Sequence, residues 1–249
     1  MIQARSVAAL YDIHANLPAL VAVLAEVERQ RVDRIVIGGD VVLGPMPREA
    51  LARVRALGER AVVIRGNCDR LVADVGSESV AHLPSPIHDA VTWTAHQLNT
   101  EERAFLGALP LTATLDVDSI GEVLFCHATP RSDEELFTVQ STDERIAPMF
   151  EAVTAPLVVC GHTHMQFDRH VRDLRIVNAG SVGMPYGAPG AHWLRLGPGI
   201  RMERTKYDLG KAAAAVRSTS YPQAESFAAK HVLSPPSEAE MLKAFSGAR

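Results

Sequence analysis

Histidine, aspartate and asparagine recur in this 249-residue chain at the points where short apolar runs stop. Leu157-Val158-Val159-Cys160 ends on Gly161-His162-Thr163-His164, which delivers two imidazoles to one turn. Residues 6–11 end on Asp12-Ile13-His14, and Ile35-Val36-Ile37 ends on Gly38-Gly39-Asp40. Residues 61–64 lead to Gly66-Asn67-Cys68-Asp69, and residues 123–126 end on His127. Such runs read as buried strands, and open α/β sheets bind ligands beyond the carboxyl ends of their strands. Convergence of these ends makes a pocket of nitrogen and oxygen donors, which is the chemistry of a metal site. Imidazole beside carboxylate and amide oxygens suits Mn, Fe, Zn, Co or Ni better than Ca or Mg. Asp12, His14, Asp40, Asn67, His127, His162 and His164 exceed what one ion needs from a protein. Two ions sharing one carboxylate use the whole set, and such pairs clamp the attacking and leaving oxygens of phosphate esters.

The elements that must position these ends follow from periodicity. Asn16 as N-cap, Pro18 in the first turn and a stripe of Leu17, Leu20, Val21, Leu24 and Val27 predict a helix. It joins the first strand to one at 32–37, a βαβ unit with parallel strands and a right-handed crossover. Residues 47–57 repeat the design, with Ala50, Leu51, Val54 and Leu57 inward and Gly58 at the stop. Residues 69–109 read as helical pieces broken at Pro84 and Pro86, restarting at Asn99-Thr100-Glu101-Glu102 with its acidic first turn. Beyond Pro110, strands are expected at 112–115, 123–127, 157–160, 175–178, 192–196 and 201–207, with a helix at 142–153. Alternating βα units followed by strands predict a four-layer α/β/β/α sandwich of two mixed sheets over residues 1–207. Residues 208–249 read as a helical extension, with pieces at 209–216, 223–231 and 238–245. The extension is expected to pack on the sandwich and to be available to a second copy, so a homo-oligomer is compatible with it.

Composition narrows the classes. The chain is 47% hydrophobic and 22% charged with a net charge of −4, ordinary for a globular protein and without a basic field for nucleic acid. Arg53, Arg55 and Arg60 are diluted by apolar residues and Glu59 and read as a solvated helix face. Cys68, Cys126 and Cys160 form no CxxC pair, which favours a reducing cytoplasm. The N-terminus lacks a signal-peptide pattern, and no apolar run reaches the roughly 18 residues of a membrane span.

Asp12-x-His14, Gly39-Asp40, Gly66-Asn67-Cys68-Asp69, His127 and Gly161-His162-Thr163-His164, in this order, resemble the calcineurin-like metallophosphoesterase superfamily. Asn178-Ala179-Gly180-Ser181-Val182-Gly183 resembles a further turn of that family. The resemblance implies the metallo-dependent phosphatase fold and two divalent transition metals, manganese foremost, with Fe, Zn, Ni or Co as alternatives. It implies that Asp12, His14 and His164 hold the first metal, Asn67, His127 and His162 the second, and that Asp40 bridges them. A hydroxide shared by the ions would attack phosphorus, with Asp40, Asn67 and His127 acting catalytically through metal and phosphate contact. Many members carry His after the Asn to assist the leaving group. Here that place is Cys68, a weak donor that cannot carry an imidazolium's charge. The Gly-Asn-Cys-Asp variant resembles a branch of small bacterial and archaeal phosphoesterases. Cys68 is expected mainly to fill space and Asp69 to orient a water. Hydrolysis of a small phosphodiester is the favoured activity. A phosphomonoesterase acting on phosphoprotein or nucleotide, a nuclease and a non-catalytic metal-binding scaffold are the alternatives. Around the centre, Arg131 is a candidate phosphate contact, and His88 and His96 are candidates to reach substrate. Asn178 and Ser181 are expected to support the histidine loops, and Trp93 to be core.

Overall fold

The computed structural model describes residues 2–247; residue 1 and residues 248–249, the outer ends of the two expected segments, lie outside the described residues. Side-chain alternation along the strands decides the layers. In β2 (Val7–Leu10), Val7 and Ala9 face one cluster and Ala8 and Leu10 another. In β3 (Arg34–Ile37), Val36 parts from Ile35 and Ile37 in the same way. Strands apolar on both faces must be covered on both, and here they are.

One sheet has the order β1 (Ile2–Ala4), β5 (Thr112–Val117), β6 (Gly121–Cys126), β7 (Leu157–Cys160), β9 (Leu174–Asn178) and β8 (Phe167–Val171). The other has the order β11 (Ile200–Thr205), β10 (Ala191–Leu196), β2, β3 and β4 (Ala61–Val63). Each is mixed. β2, β3 and β4 run parallel while β10 joins antiparallel, and β6, β7 and β9 run parallel while β5 and β8 join antiparallel. Ala9, Val36 and Leu194 of one sheet and Phe125, Val159 and Val177 of the other form one buried apolar layer between them. Outside the five-stranded sheet lie α1 (Leu17–Arg29), α2 (Pro47–Arg55), α3 (Asn67–Ala73), α4 (Glu78–Ala81), α5 (Ser85–Gln97) and α6 (Thr100–Gly107). Outside the six-stranded sheet, α7 (Asp143–Ile146) brings Ile146 against Cys126, Val158 and Ile176. This is the expected four-layer sandwich of two mixed sheets.

Several local expectations hold and some do not. The Asn16 side chain caps α1 from Ala19 N–H at 3.3 Å, and Asn99 with Glu102 forms a reciprocal capping box on α6. The helix expected at 142–153 stops at Ile146 and tightens into a 3₁₀ turn at Ala147–Met149. Pro148 lacks the N–H that would continue it. The tail forms α8 (Leu209–Arg217), α9 (Ala224–Phe227), a π-helical segment at Ala228–Leu233, and α10 (Glu238–Gly247). No helix among the described residues is long and apolar enough to cross a membrane.

The end of α1 carries a testable imperfection. Val32 N–H donates to Val27 O at 3.2 Å and Arg31 N–H to Glu28 O at 2.9 Å, the two bonds of a Schellman stop. That stop places Arg31 at φ 51°, where glycine is the unstrained residue. Arg31→Gly is expected to stabilise the protein by about 1 kcal/mol, raising Tm by roughly 2–4 °C. Thermal unfolding checks this, and a lowered Tm would show that the Arg31 side chain makes a stabilising contact.

Candidate metal centre

Each candidate ligand sits where a strand gives way to a turn, and the turns lock together through main-chain bonds. Asp12 N–H donates to Gly39 O at 3.1 Å, His14 N–H to Asp40 O at 2.8 Å, and Gly161 N–H to His127 O at 2.8 Å. His162 N–H donates to Asp12 Oδ2 at 2.9 Å, which ties the loop after β7 to the loop after β2 across the two sheets. Asp12, His14, Asp40, His162 and His164 have left-handed backbone, with φ of 53°, 46°, 53°, 65° and 58°. Non-glycine residues adopt this region at a cost of about 1–2 kcal/mol each. Strain gathered in one place marks a functional site. A Cβ on Gly66 would lie 2.1 Å from Asp40 Oδ1, and one on Gly161 2.6 Å from Asp12 Oδ2. The glycines beside the polar residues thus leave room for the carboxylates themselves.

The side chains converge. His14 Nε2 lies 3.2 Å from His164 Nε2 and 3.7 Å from Asp40 Oδ2. His164 Nε2 lies 3.4 Å from Asp12 Oδ1. His127 Nε2 lies 3.1 Å from Asn67 Oδ1 and 3.5 Å from Asp40 Oδ2. Three sets bring potential ligand atoms within 4.8 Å of one another: Asp12, His14 and His164; His14, Asp40 and Cys68; and Asp12, Asp40 and His127. His162 stands beside His127, ring centroids 5.2 Å apart, and lies outside the three sets. Asn67 and His162 are the half-exposed members, at the mouth of an otherwise buried group.

Two observations fit this arrangement to metal ions. Among the described residues Asp12 Oδ1 is buried without a hydrogen-bond partner, a costly state for a carboxylate oxygen unless a cation meets it. The ring Nδ1 atoms of His14, His127 and His164 face the carbonyls of Leu43, Gly38 and Met184 at 3.2, 2.9 and 2.8 Å. A carbonyl only accepts, so each Nδ1 carries the proton and the neutral ring turns an Nε2 lone pair inward. Asp12, His14 and Asp40 each belong to two of the three sets, and Asp40 Oδ2 faces both His14 and His127.

Charge balance follows from burial. Burial would raise the Asp12 carboxyl, but His164, His127 and His14 hold it well below the usual carboxylate range. Asp40 is lowered against its own burial by His127 and His14. Burial lowers His14, while His127 and His164 are raised against theirs by Asp40 and Asp12. His162 is pushed down to about 4 by burial and by His127. The Cys68 thiol is raised well above its ordinary value by burial and by Asp40.

The surrounding residues differ in part from expectation. Asp69 orients backbone rather than an open water position: it accepts from Val41, Val42 and Gly66 N–H at 2.9, 3.4 and 3.2 Å. Burial and Asp40 push it up to about 7. Cys68 donates its N–H to Asp40 Oδ1 at 2.8 Å, and its sulfur lies within 4.8 Å of ligand atoms of His14 and Asp40. Asn178 Nδ2 donates to Gly161 O at 2.6 Å, and Ser181 Oγ to Asp12 O at 2.8 Å, so both support the ligand loops as expected. Arg131 is turned away onto Glu135 and Pro148 O. His96 is exposed, and half-buried His88 faces Asp89 at 3.5 Å. Trp93 packs edge-on against Tyr221 of the tail, ring centroids 5.2 Å apart. Two histidine neighbours carried no sequence signal: Tyr186 stacks on His164 at 5.4 Å, and His231 of the tail shares a cavity with His14.

A model of the calcineurin-like phosphoesterase superfamily domain matches residues 6–196. The chain belongs to this superfamily. The matched span holds every candidate ligand and stops short of the tail. Among relatives of this chain, an uncharacterized protein of Methanocaldococcus jannaschii is 32% identical over 164 residues, 65% of this chain and 63% of that protein's length. The crystal structure of a hypothetical protein from Pyrococcus horikoshii OT3 is similar with a TM-score of 0.79 and 21% identity, covering 93% of this chain and 99% of that one. That of a metallophosphoesterase from Sphaerobacter thermophilus is similar at 0.73 and 27%, covering 93% of this chain and 100% of that one.

Proposed function

We propose that the protein is a dinuclear, metal-dependent phosphodiesterase acting on small phosphate esters. The observation that carries this reading is the overlap of the ligand sets through Asp12, His14 and Asp40, which suits two adjacent ions. Asp12, His14 and His164 would hold one ion, Asn67, His127 and His162 the other, and Asp40 would be shared. Such a pair, manganese first among the candidates, supplies Lewis-acid activation of water and of phosphate oxygens.

The chain's own residues do the rest. The main-chain carbonyls behind His14, His127 and His164 fix each ring's tautomer. Asp69 holds the backbone after β3 against the start of α3, which keeps Asp40 and Asn67 in register. Asn67 and His162, at the mouth, are the ligands that meet an arriving phosphate first. None of the residues lining the cavity beside His14 is Lys or Arg. Arg70 nearby is committed to Asp133 and Glu134. Among the described residues lining that cavity, no side-chain cation stands ready for the extra charge of a monoester dianion, which supports the singly charged diester. The three cysteines are free and buried, which supports a reducing cytoplasm.

The test is purified protein loaded with Mn²⁺, assayed on bis(4-nitrophenyl) phosphate and on 4-nitrophenyl phosphate. The diester is expected to turn over faster, with loss on chelation and recovery on adding Mn²⁺ back. Faster monoester cleavage would establish the phosphomonoesterase alternative. No cleavage of either ester with Mn, Fe, Co, Ni or Zn bound would leave the scaffold.

A further inference from the structure

The ligand turn Gly66-Asn67-Cys68-Asp69 is bracketed by Arg65 and Arg70, and both arginines approach one carboxylate in the loop that follows His127. Arg70 lies on α3, three residues after Asn67, a spacing that puts the two side chains on one face of the helix. Its Nε and Nη2 donate to Asp133 Oδ2 and Oδ1 at 2.9 and 3.0 Å, a two-pronged pair. Arg65 Nε stands 3.8 Å from Asp133 Oδ2. The Asp133 side chain is 8% exposed, so the pair escapes much of the screening that makes surface pairs weak. Glu134, 60% exposed, adds one bond to Arg70 at the rim, at 2.6 Å.

The chain between His127 and Asp133 is folded on itself. Thr129 N–H donates to Ser132 O at 2.9 Å and Thr129 Oγ1 to Glu135 Oε2 at 2.6 Å, while Glu134 and Glu135 N–H donate to Ser132 Oγ at 3.1 and 3.2 Å. A restraint on Asp133 is therefore passed back to the main chain at His127. Asn67 follows β4 of one sheet and His127 follows β6 of the other, so no strand pairing sets the distance between them. Gly38 O orients the His127 ring without touching α3. Among the described residues, the hydrogen bonds between 66–73 and 127–135 are Asn67 to His127, at 3.1 Å, and those of Arg70 to Asp133 and Glu134. The first of these joins two atoms that would both turn to an ion, Asn67 Oδ1 and His127 Nε2. The arginine–aspartate pair is the tie that stays in place with the ion bound. It also offsets guanidinium charge that would otherwise repel a dication beside the turn.

We propose that Asp133 is a positioning residue for the second metal position: paired with Arg70 and flanked by Arg65, it clasps α3 to the His127 loop and holds Asn67 and His127 at the spacing of one ion. The inference rests on the two-ion reading above and adds to it a separate control of one position. Asp12, His14 and His164, which would hold the first ion, lie on loops that the clasp does not bond.

Calorimetric titration of Mn²⁺ into stripped full-length protein reads the positions one at a time. In His164→Ala the ion that still binds reports the second position, and in His162→Ala it reports the first. A partner bonded directly to a metal ligand is worth about 10–100-fold in affinity, and Asp133 acts from further out, so the low end applies. Adding Asp133→Asn is expected to weaken binding about tenfold in His164→Ala and to leave it unchanged in His162→Ala. Arg70→Gln should act in the same way. It leaves Asp133 beside Arg65, and so serves where the two freed guanidiniums keep Asp133→Asn from folding. Equal losses in the two backgrounds, or no loss in either, would overturn the clasp. So would a change confined to the melting temperature of the stripped variants, the mark of a contact that serves the fold alone. Wild type that takes up fewer than two Mn²⁺ at saturation is a different result, and would overturn the two-ion reading itself.

Discussion

Asp40→Asn is expected to lower turnover by on the order of 10³-fold or more and to leave neither metal position stably filled. Asp40 belongs to two of the three ligand sets, and its Oδ2 faces both His14 and His127. An amide there keeps the shape but removes the charge that offsets repulsion between two dications. His164→Ala is the control, because His164 belongs to one set only. It should empty one position and leave the other. Asp12→Asn should resemble His164→Ala, since in the proposed assignment Asp12 holds the first ion alone. Metal analysis and steady-state rates on the three variants read this directly. Two bound ions with full activity in Asp40→Asn would end the shared-carboxylate model.

What the sequence disclosed and what it hid divide along physical lines. The ligand turns were legible because each is local: an apolar run, a glycine and a polar residue lie within a few positions, as in 157–164. The glycines were part of that signal, and the structure supplies the reason, since Gly66 and Gly161 make way for Asp40 and Asp12. β1 was not legible. It has three residues, two of them exposed, and is a strand only through its parallel pairing with Leu115, Asp116 and Val117. β8 hid for another reason. Asp168, Arg169 and His170 lie between its two buried ends, so an edge strand read as loop. The tail's approach to the centre was the largest omission. Its helical periodicity was visible, but His231 lies far along the chain from every ligand. Only the docking of Tyr221, Phe227 and Ala228 against Ala90 and Trp93 brings it near. Periodicity reports which face of a helix is buried and is silent about what that face meets.

Stripping the ions with a chelator is expected to lower the melting temperature by roughly 10 °C, and restoring Mn²⁺ to recover it. The ligands come from five separate turns between Asp12 and His164, so the unfolded chain offers no comparable cluster and the ions bind the native state alone. An ion present at about a thousand times its Kd then adds about 4 kcal/mol. For a chain of this size each kcal/mol moves Tm by roughly 2–4 °C. The centre's construction makes the effect directional. Asp12 and Asp40 are both buried, and among the described residues Asp12 Oδ1 lacks any other partner, so the native state gains where the cations meet these oxygens. The shift should therefore shrink in His164→Ala and nearly vanish in Asp40→Asn, while Arg31→Gly, far from the ligands, should keep it whole. Calorimetric scans of loaded and chelated protein measure all four. Equal melting temperatures for loaded and stripped wild type would mean that the ions bind too weakly to govern the fold, and the buried Asp12 oxygen would need another explanation.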